Sequence, residues 1–132
     1  SNRIDNVTSG ETNANTGANL AKYVTNKVEL YDNSDALKIW LDINRPNGTH
    51  VDLYYKSGNT AATFDTQPWV AASPTTGNGY VVYSDGIIYN ETIYDIAPAA
   101  TFTIFQLKIV MRSTNTSTIP KCQSLRAISL KA

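Results

Sequence analysis

The chain has 132 residues, 42% of them hydrophobic, and its 11 basic residues are balanced by 11 acidic ones. This length suits one domain with a substantial core. The zero net charge argues against nucleic acid and anionic membranes as partners, because both are bound mainly through clustered basic residues. No apolar run approaches the roughly 20 residues of a membrane-spanning helix, so we expect no membrane insertion. The single cysteine, Cys122, excludes an internal disulfide.

The first 18 residues differ in character from the rest of the chain. They are polar, rich in Asn, Thr and Gly, and contain only two large aliphatic side chains, Ile4 and Val7. Such a sequence buries too little apolar surface to offset the entropy lost on ordering. We therefore expect residues 1–18 to form a flexible N-terminal arm or linker and residues 19–132 to form a single β-sandwich domain. Within that domain, residues 21–31 are predicted to form a strand pair or one long strand.

Residues 36–56 contain the clearest strand signals in the chain. Apolar side chains alternate with polar ones, as in strands buried on one face. The inward set is Leu37, Ile39, Leu41, Ile43, Val51, Leu53 and Tyr55. Pro46, Asn47 and Gly48 suit a tight turn between the two halves, so the segment is predicted to be a β-hairpin in which Leu41 faces Leu53.

Further alternating runs continue to the end of the chain. Strands are predicted at residues 68–72, 80–83, 87–96, 101–112 and 125–131. Asp85-Gly86 favours a second hairpin, and Phe64 is expected to enter the core from a loop. About eight short strands with no helical periodicity predict an all-β fold, an antiparallel β-sandwich of jelly-roll type. A barrel is the alternative.

No recognisable catalytic motif is present. The only histidine, His50, follows the hairpin loop, and no nucleophile motif such as G-x-S-x-G occurs in the chain. A zinc site is also unexpected, because the only cysteine lies far from His50 in the sequence. We therefore expect that the protein is not an enzyme and binds no cofactor.

The predicted hairpin register places Asp42 opposite Asp52, a like-charge pair that invites a cation. Calcium, however, prefers six or more oxygen ligands and a dense acidic loop. Diagonal pairing of these carboxylates with Lys38 or Arg45 is the favoured alternative, and no metal site is predicted.

Outward-facing aromatic residues are the strongest binding signal in the sequence. The same register places Trp40 beside Tyr54 on the outer face of the hairpin, and further candidates are Tyr80, Tyr83, Tyr89 and Tyr94. Such aromatics mark a sugar-stacking platform, a contact with a protein partner, or ordinary cross-strand pairing. Trp40 and Tyr54 are the predicted binding patch.

Three stretches carry a resemblance to a known group of proteins. They are LDINRPNGTHVDLYYK in the predicted hairpin, FDTQPWV at residues 64–70, and FTIFQLKIVMRSTNTSTIPKCQSLRAISL at residues 102–130. They resemble a domain of virion structural proteins of T4-like tailed phages, including cyanophages, over about residues 23–130. The chain departs from that pattern at Lys121-Cys122-Gln123.

The resemblance implies a non-catalytic structural module of a phage tail or baseplate. Its partners would be other virion proteins or further copies of itself, and it would be located in the virion after synthesis in the host cytoplasm. The alternative is a carbohydrate-binding sandwich, such as the receptor-binding part of a tail fibre, with a glycan as its ligand.

Overall fold

The computed structural model describes residues 21–45, 49–77, 89–113 and 120–131. These ranges contain nine strands and one short helix, and no helix among them is long and apolar enough to cross a membrane. The elements are β1 (Lys22–Val24), β2 (Val28–Ser34), β3 (Ala36–Asn44), β4 (Thr49–Gly58), α1 (Ala61–Phe64), β5 (Val70–Ala72), β6 (Thr76–Gly77), β7 (Asn90–Ile96), β8 (Phe102–Ser113) and β9 (Lys121–Leu130).

The strands form two antiparallel sheets. Sheet 1 has the order β1–β8–β4–β5, and β2 continues along the same edge of β8 that β1 occupies. Sheet 2 has the order β6–β7–β3–β9. Because β2 pairs with β8 and β3 pairs with β7, a paired ribbon of chain passes from one sheet to the other, as in a jelly roll. The predicted all-β antiparallel sandwich is confirmed.

The core lies between the two sheets and is built from the alternating apolar positions. Sheet 2 contributes Leu37, Ile39, Leu41, Ile43, Tyr94 and Ile96, and sheet 1 contributes Val51, Leu53, Phe102, Phe105, Leu107 and Ile109. All of these side chains are buried. The predicted inward faces of both halves of residues 36–56 are therefore confirmed, and Phe64 is buried as expected.

The predicted pairing of those two halves is wrong. β3 pairs with β7 and β9 in sheet 2, whereas β4 pairs with β5 and β8 in sheet 1. The chain crosses from one sheet to the other between Asn44 and Thr49, and residues 46–48 lie outside the described part. The two apolar faces pack toward each other across the core.

Other differences concern the ends of elements. β1 and β2 do not pair with each other; both pair with β8, so residues 22–34 form one interrupted edge strand. β9 begins at Lys121, earlier than predicted. The N-terminal arm at residues 1–18, the strand at residues 80–83 and the Asp85-Gly86 hairpin lie outside the described residues.

Candidate functional site

Trp40 lies in the middle of β3, on the outer face of sheet 2, and is partly exposed. Its neighbours across the sheet are Ile93 on β7 and Arg126 on β9. The guanidinium carbon of Arg126 lies 5.1 Å from the centroid of the Trp40 ring, and Nζ of Lys38 lies 5.7 Å from it. Both distances are in the range of cation–π attraction. The indole is thus held at a defined position on an outward-facing surface.

Charged side chains surround the indole. Arg126 donates to Glu91 at 3.4 Å, and Nζ of Lys38 lies 3.8 Å from Oδ1 of Asp95. These side chains remain accessible, so the ion pairs contribute little to folding stability. The outer face of sheet 2 therefore combines a large aromatic ring with paired charges, and the register of β9 against β3 adds the exposed side chains of Ile128 and Leu130 to the same face.

Tyr54 does not share this surface. It lies on β4 in sheet 1 and is only 6% exposed, so the prediction that it lies beside Trp40 is wrong. Trp69, in the segment between α1 and β5, forms a buried cluster with Tyr54 and Val110 on the outer face of sheet 1. The part of the outer face of sheet 1 around Tyr54 is thus covered by the chain itself, and Tyr54 is a buried residue.

Two lysines under this cover are a feature that sequence analysis missed. Lys56 and Lys108 are each 3% exposed. Their Nζ atoms lie 4.7 and 4.8 Å from the centroid of the Trp69 ring. Lys108 also contacts the Tyr54 ring at 5.1 Å. Burial lowers the pKa of Lys56, with the nearby Lys27 acting in the same direction and Asp65 opposing it.

The strand pattern did not predict this cluster. Lys56 and Lys108 occupy the polar, outward positions of alternating strands, and such positions normally face solvent. The FDTQPWV segment supplies the aromatic cover, but only the pairing of β5 with β4 places it over these lysines. Its role is structural, because it closes the outer face of sheet 1.

The two aspartates that were expected to face each other are also in different sheets. Asp52 accepts two hydrogen bonds from Arg112, from Nε at 2.7 Å and from Nη2 at 3.3 Å. Asp42 lies on β3 opposite Glu91 on one side and Gln123 on the other. The predicted like-charge pair is therefore wrong, and Asp52 pairs with Arg112 rather than with Lys38 or Arg45.

His50 lies at the start of β4, close to two arginines. Burial lowers the pKa of His50, and the positive charges of Arg112 and Arg45 lower it further. Across the four described ranges, no three His, Cys, Asp or Glu side chains are close enough to hold a metal ion. The absence of a cofactor remains a prediction.

An apolar cleft of about 340 Å³ opens between the two sheets on the side where β1 and β9 form the edges. Its lining includes Tyr23, Leu41, Ile109, Met111, Cys122 and Leu125. Burial raises the pKa of the Cys122 thiol to about 12, so this thiol is neutral and unreactive at neutral pH. The cleft can accept an apolar group, and its lining provides no obvious chemistry.

One strained residue lies at the rim of this cleft. Ser124 has a left-handed φ of 55°. It coincides with a bulge, where the register between β3 and β9 shifts between Trp40 and Asp42. The bulge interrupts the regular alternation of β9 and places Gln123 and Ser124 at the cleft mouth.

Exposed large hydrophobic side chains are concentrated on the edge strands β1–β2 and β9 beside this cleft. Among the described residues, six of the seven such side chains lie on these strands. They are Tyr23, Val24, Val28, Tyr31, Ile128 and Leu130. Ile128 and Leu130 lie opposite Lys38 and Ala36 and therefore share the outer face of sheet 2 with Trp40, whereas the other four lie along the edge of sheet 1.

No family model and no curated protein sequence matches this chain. Among solved structures, it is similar to the crystal structure of the infectious bursal disease virus VP2 subviral particle, with a TM-score of 0.46 and 12% sequence identity. The match covers 89% of this chain and 35% of the VP2 chain. A similarity of this degree carries no inference about function.

Proposed function

We propose that this protein is a non-catalytic structural module that assembles with other proteins in a phage virion, as part of a tail or baseplate. The observation that carries the proposal is the asymmetry between the two outer faces. Trp69 covers Tyr54 and Val110 on the outer face of sheet 1, whereas the described neighbours of Trp40 on sheet 2 are strands of its own sheet. An accessible aromatic anchor on a rigid central strand is typical of a protein contact.

The sequence resemblance supplies the virion context for this proposal. The three matching stretches fall on the end of β3, on β4, on the segment from Phe64 to Val70, and on β8 and β9. They cover much of the core and include Arg126, whereas Trp40 lies just before the first of them. The finer assignment to a tail or baseplate rests on the resemblance alone.

The surroundings of Trp40 favour a protein partner over a glycan. Sugar binding by stacking needs an open ring face, and the cations of Lys38 and Arg126 already lie over this ring. These cations would compete with a sugar for the ring. A protein partner can use them, because Arg126 and Lys38 can exchange Glu91 and Asp95 for carboxylates across an interface.

Quantitative mass spectrometry of purified virions tests the proposal. Peptides of this chain should be present at a fixed copy number per particle. Their absence from particles, or a signal on a glycan array that is lost in Trp40→Ala, would contradict the proposal; the array result would support the carbohydrate-binding alternative.

A further inference from the structure

Residues 60–72 form a strap over part of the outer face of sheet 1, consisting of α1, the turn after it and β5. Only two residues of the strap are buried, Phe64 and Trp69. β5 pairs with β4 over three residues and is an edge strand in the described part of sheet 1. An exposed ion pair between Asp65 and Lys27 adds little to this attachment. The strap is therefore held mainly by two aromatic side chains and one short strand.

The strap has hydrogen bonds of its own. The backbone N–H of Phe64 donates to the carbonyl of Thr60 at 3.0 Å, and that of Gln67 donates to the carbonyl of Phe64 at 3.0 Å. The hydroxyl of Thr66 and the side-chain amide of Gln67 both donate to the carbonyl of Thr63. Because these bonds join strap residues to one another, the segment can leave the sheet without breaking them.

Both ends of the strap are anchored to the sandwich. On one side, Nδ2 of Asn59 donates to the carbonyl of Thr101 at 2.9 Å. On the other side, the backbone N–H of Thr75 donates to the carbonyl of Ile93 at 2.8 Å, and its hydroxyl donates to Asp95 at 2.8 Å. These bonds lie outside residues 60–72, so the strap can move between two fixed points.

The strap covers a small cluster that is separate from the main core. Trp69 packs there with Tyr54 and Val110, whereas the main core lies between the two sheets. The ammonium group of Lys56 contacts the Phe64 ring at 5.5 Å as well as the Trp69 ring. Closing the strap buries two aromatic rings, which favours the closed state, but it also removes two lysine ammonium groups from water, which opposes it. The cation–π contacts offset part of that cost.

The strands beneath the strap have a stable framework of their own. β4 and β8 pair continuously from Thr49, opposite Ser113, to Gly58, opposite Ile104. Their inward side chains belong to the main core. Release of the strap therefore leaves this pairing and the core in place. Segments with few buried contacts commonly open in this local way in folded proteins.

We infer that the strap opens as a unit while the sandwich stays folded, and that opening uncovers Tyr54, Lys56 and Lys108 on the outer face of sheet 1. The two outer faces then differ in kind. The face that carries Trp40 is always accessible, whereas this part of sheet 1 is accessible only in the open state. The strap lies on the other sheet from Trp40, so its opening does not depend on the proposed assembly function.

Acetylation of lysines with an N-hydroxysuccinimide ester, measured by mass spectrometry, tests the inference. Lys56 and Lys108 should react more slowly than the exposed Lys131, because they react only when the strap is open. Relative to the denatured chain, their protection should be smaller by about tenfold or more than the protection of the β8 amides against hydrogen exchange under the same conditions. Equal protection of the lysines and the β8 amides would overturn the inference, since both would then require global unfolding.

Trp69→Ala should increase the acetylation rates of Lys56 and Lys108 by about tenfold or more, because it removes one of the two aromatic attachments. Tyr31→Ala is the control, since Tyr31 is a fully exposed aromatic residue outside the strap. It should leave both rates unchanged. Rates in Trp69→Ala that equal those of the parent would show that the strap does not protect these lysines.

A disulfide between the strap and the sheet tests whether movement is required. Tyr55 and Val70 lie directly opposite each other in the β4–β5 pair, a placement that brings their Cα atoms within about 4.5–5.5 Å and hence within disulfide reach. In a Cys122→Ser background, Tyr55→Cys with Val70→Cys should slow acetylation of Lys56 and Lys108 by about tenfold or more when oxidised, and reduction should reverse the effect. Equal rates in the oxidised and reduced forms would overturn the inference, because the lysines would then react without release of the strap.

Discussion

Arg126 on β9 lies with its guanidinium carbon 5.1 Å from the Trp40 ring centroid, across the outer face of sheet 2. The contact joins an edge strand to a central strand on a surface that the described chain leaves accessible. It places an aromatic ring and a cation side by side without burying either. The first prediction concerns this pair.

Trp40→Ala should leave the domain folded. Because the indole is partly exposed, its removal should cost less than the roughly 3–5 kcal/mol expected for truncating a buried aromatic side chain. Chemical denaturation measures the loss, and Trp69→Ala is the matched comparison, since Trp69 is buried. Equal losses for the two variants would mean that the outer face of sheet 2 is covered within the chain.

Leu41→Ala and Ile109→Ala should each destabilise the domain by about 2–5 kcal/mol, because each empties a buried site between the sheets. Denaturant midpoints at constant slope check the values. Lys38→Ala, on the outer face of the strand that carries Leu41, is the control. If Lys38→Ala lowered the free energy of unfolding more than either core substitution, the assignment of inward and outward faces on β3 would be wrong.

The stability of the domain should depend on the protonation of Lys56. Burial lowers its folded-state pKa below the ordinary value of 10.5, so above the folded pKa the unfolded chain binds more protons than the native state. The free energy of unfolding therefore increases with pH between the folded-state pKa of Lys56 and about 10.5. Below the folded-state pKa, the protein carries the full cost of burying a charged lysine.

Lys56→Met should remove this contribution. The difference in unfolding free energy between the parent and Lys56→Met, measured at several pH values from 7 upward, should shift in favour of the parent as pH rises. Lys22→Met, at an exposed position on β1, serves as the control. A difference that stays constant with pH would show that the Lys56 pKa is not lowered in the folded state.

Asp52→Asn should destabilise the domain by about 1–3 kcal/mol, because it breaks a charge-assisted pair of hydrogen bonds with Arg112 in a partly buried position. Asp42→Asn should have a smaller effect. Added calcium should change neither variant nor the parent in a thermal scan. Stabilisation of the parent by calcium that is lost in Asp52→Asn would instead establish a cation site.

Alternation along the strands predicted which residues face the core, but not which strands pair. Ile43 and Val51 face inward whether β3 and β4 share a sheet or oppose each other across the core, so the pattern is the same in both cases. Pairing is decided by long-range partners such as β7 and β9 for β3. The hairpin prediction failed for that reason.

The same limit affected the candidate site. Trp40 and Tyr54 both occupy outward positions, as predicted from alternation. Whether an outward position is accessible depends on segments that fold over the sheet, and Trp69 covers Tyr54 but not Trp40. The alternation within one strand does not show which distant segment will pack over it. The predicted patch therefore included Tyr54, which Trp69 buries.

The amount of this chain in purified virions, compared between the parent, Trp40→Ala and the surface control Val70→Ala, tests the assembly proposal most directly. Mass spectrometry against a labelled standard gives the copy number per particle. We expect Trp40→Ala to be depleted from particles by about tenfold or more, as for an interface anchor, while Val70→Ala is incorporated like the parent. Incorporation of Trp40→Ala at the parent's level, from a chain that is equally folded, would contradict the proposal that the outer face of sheet 2 is an assembly surface.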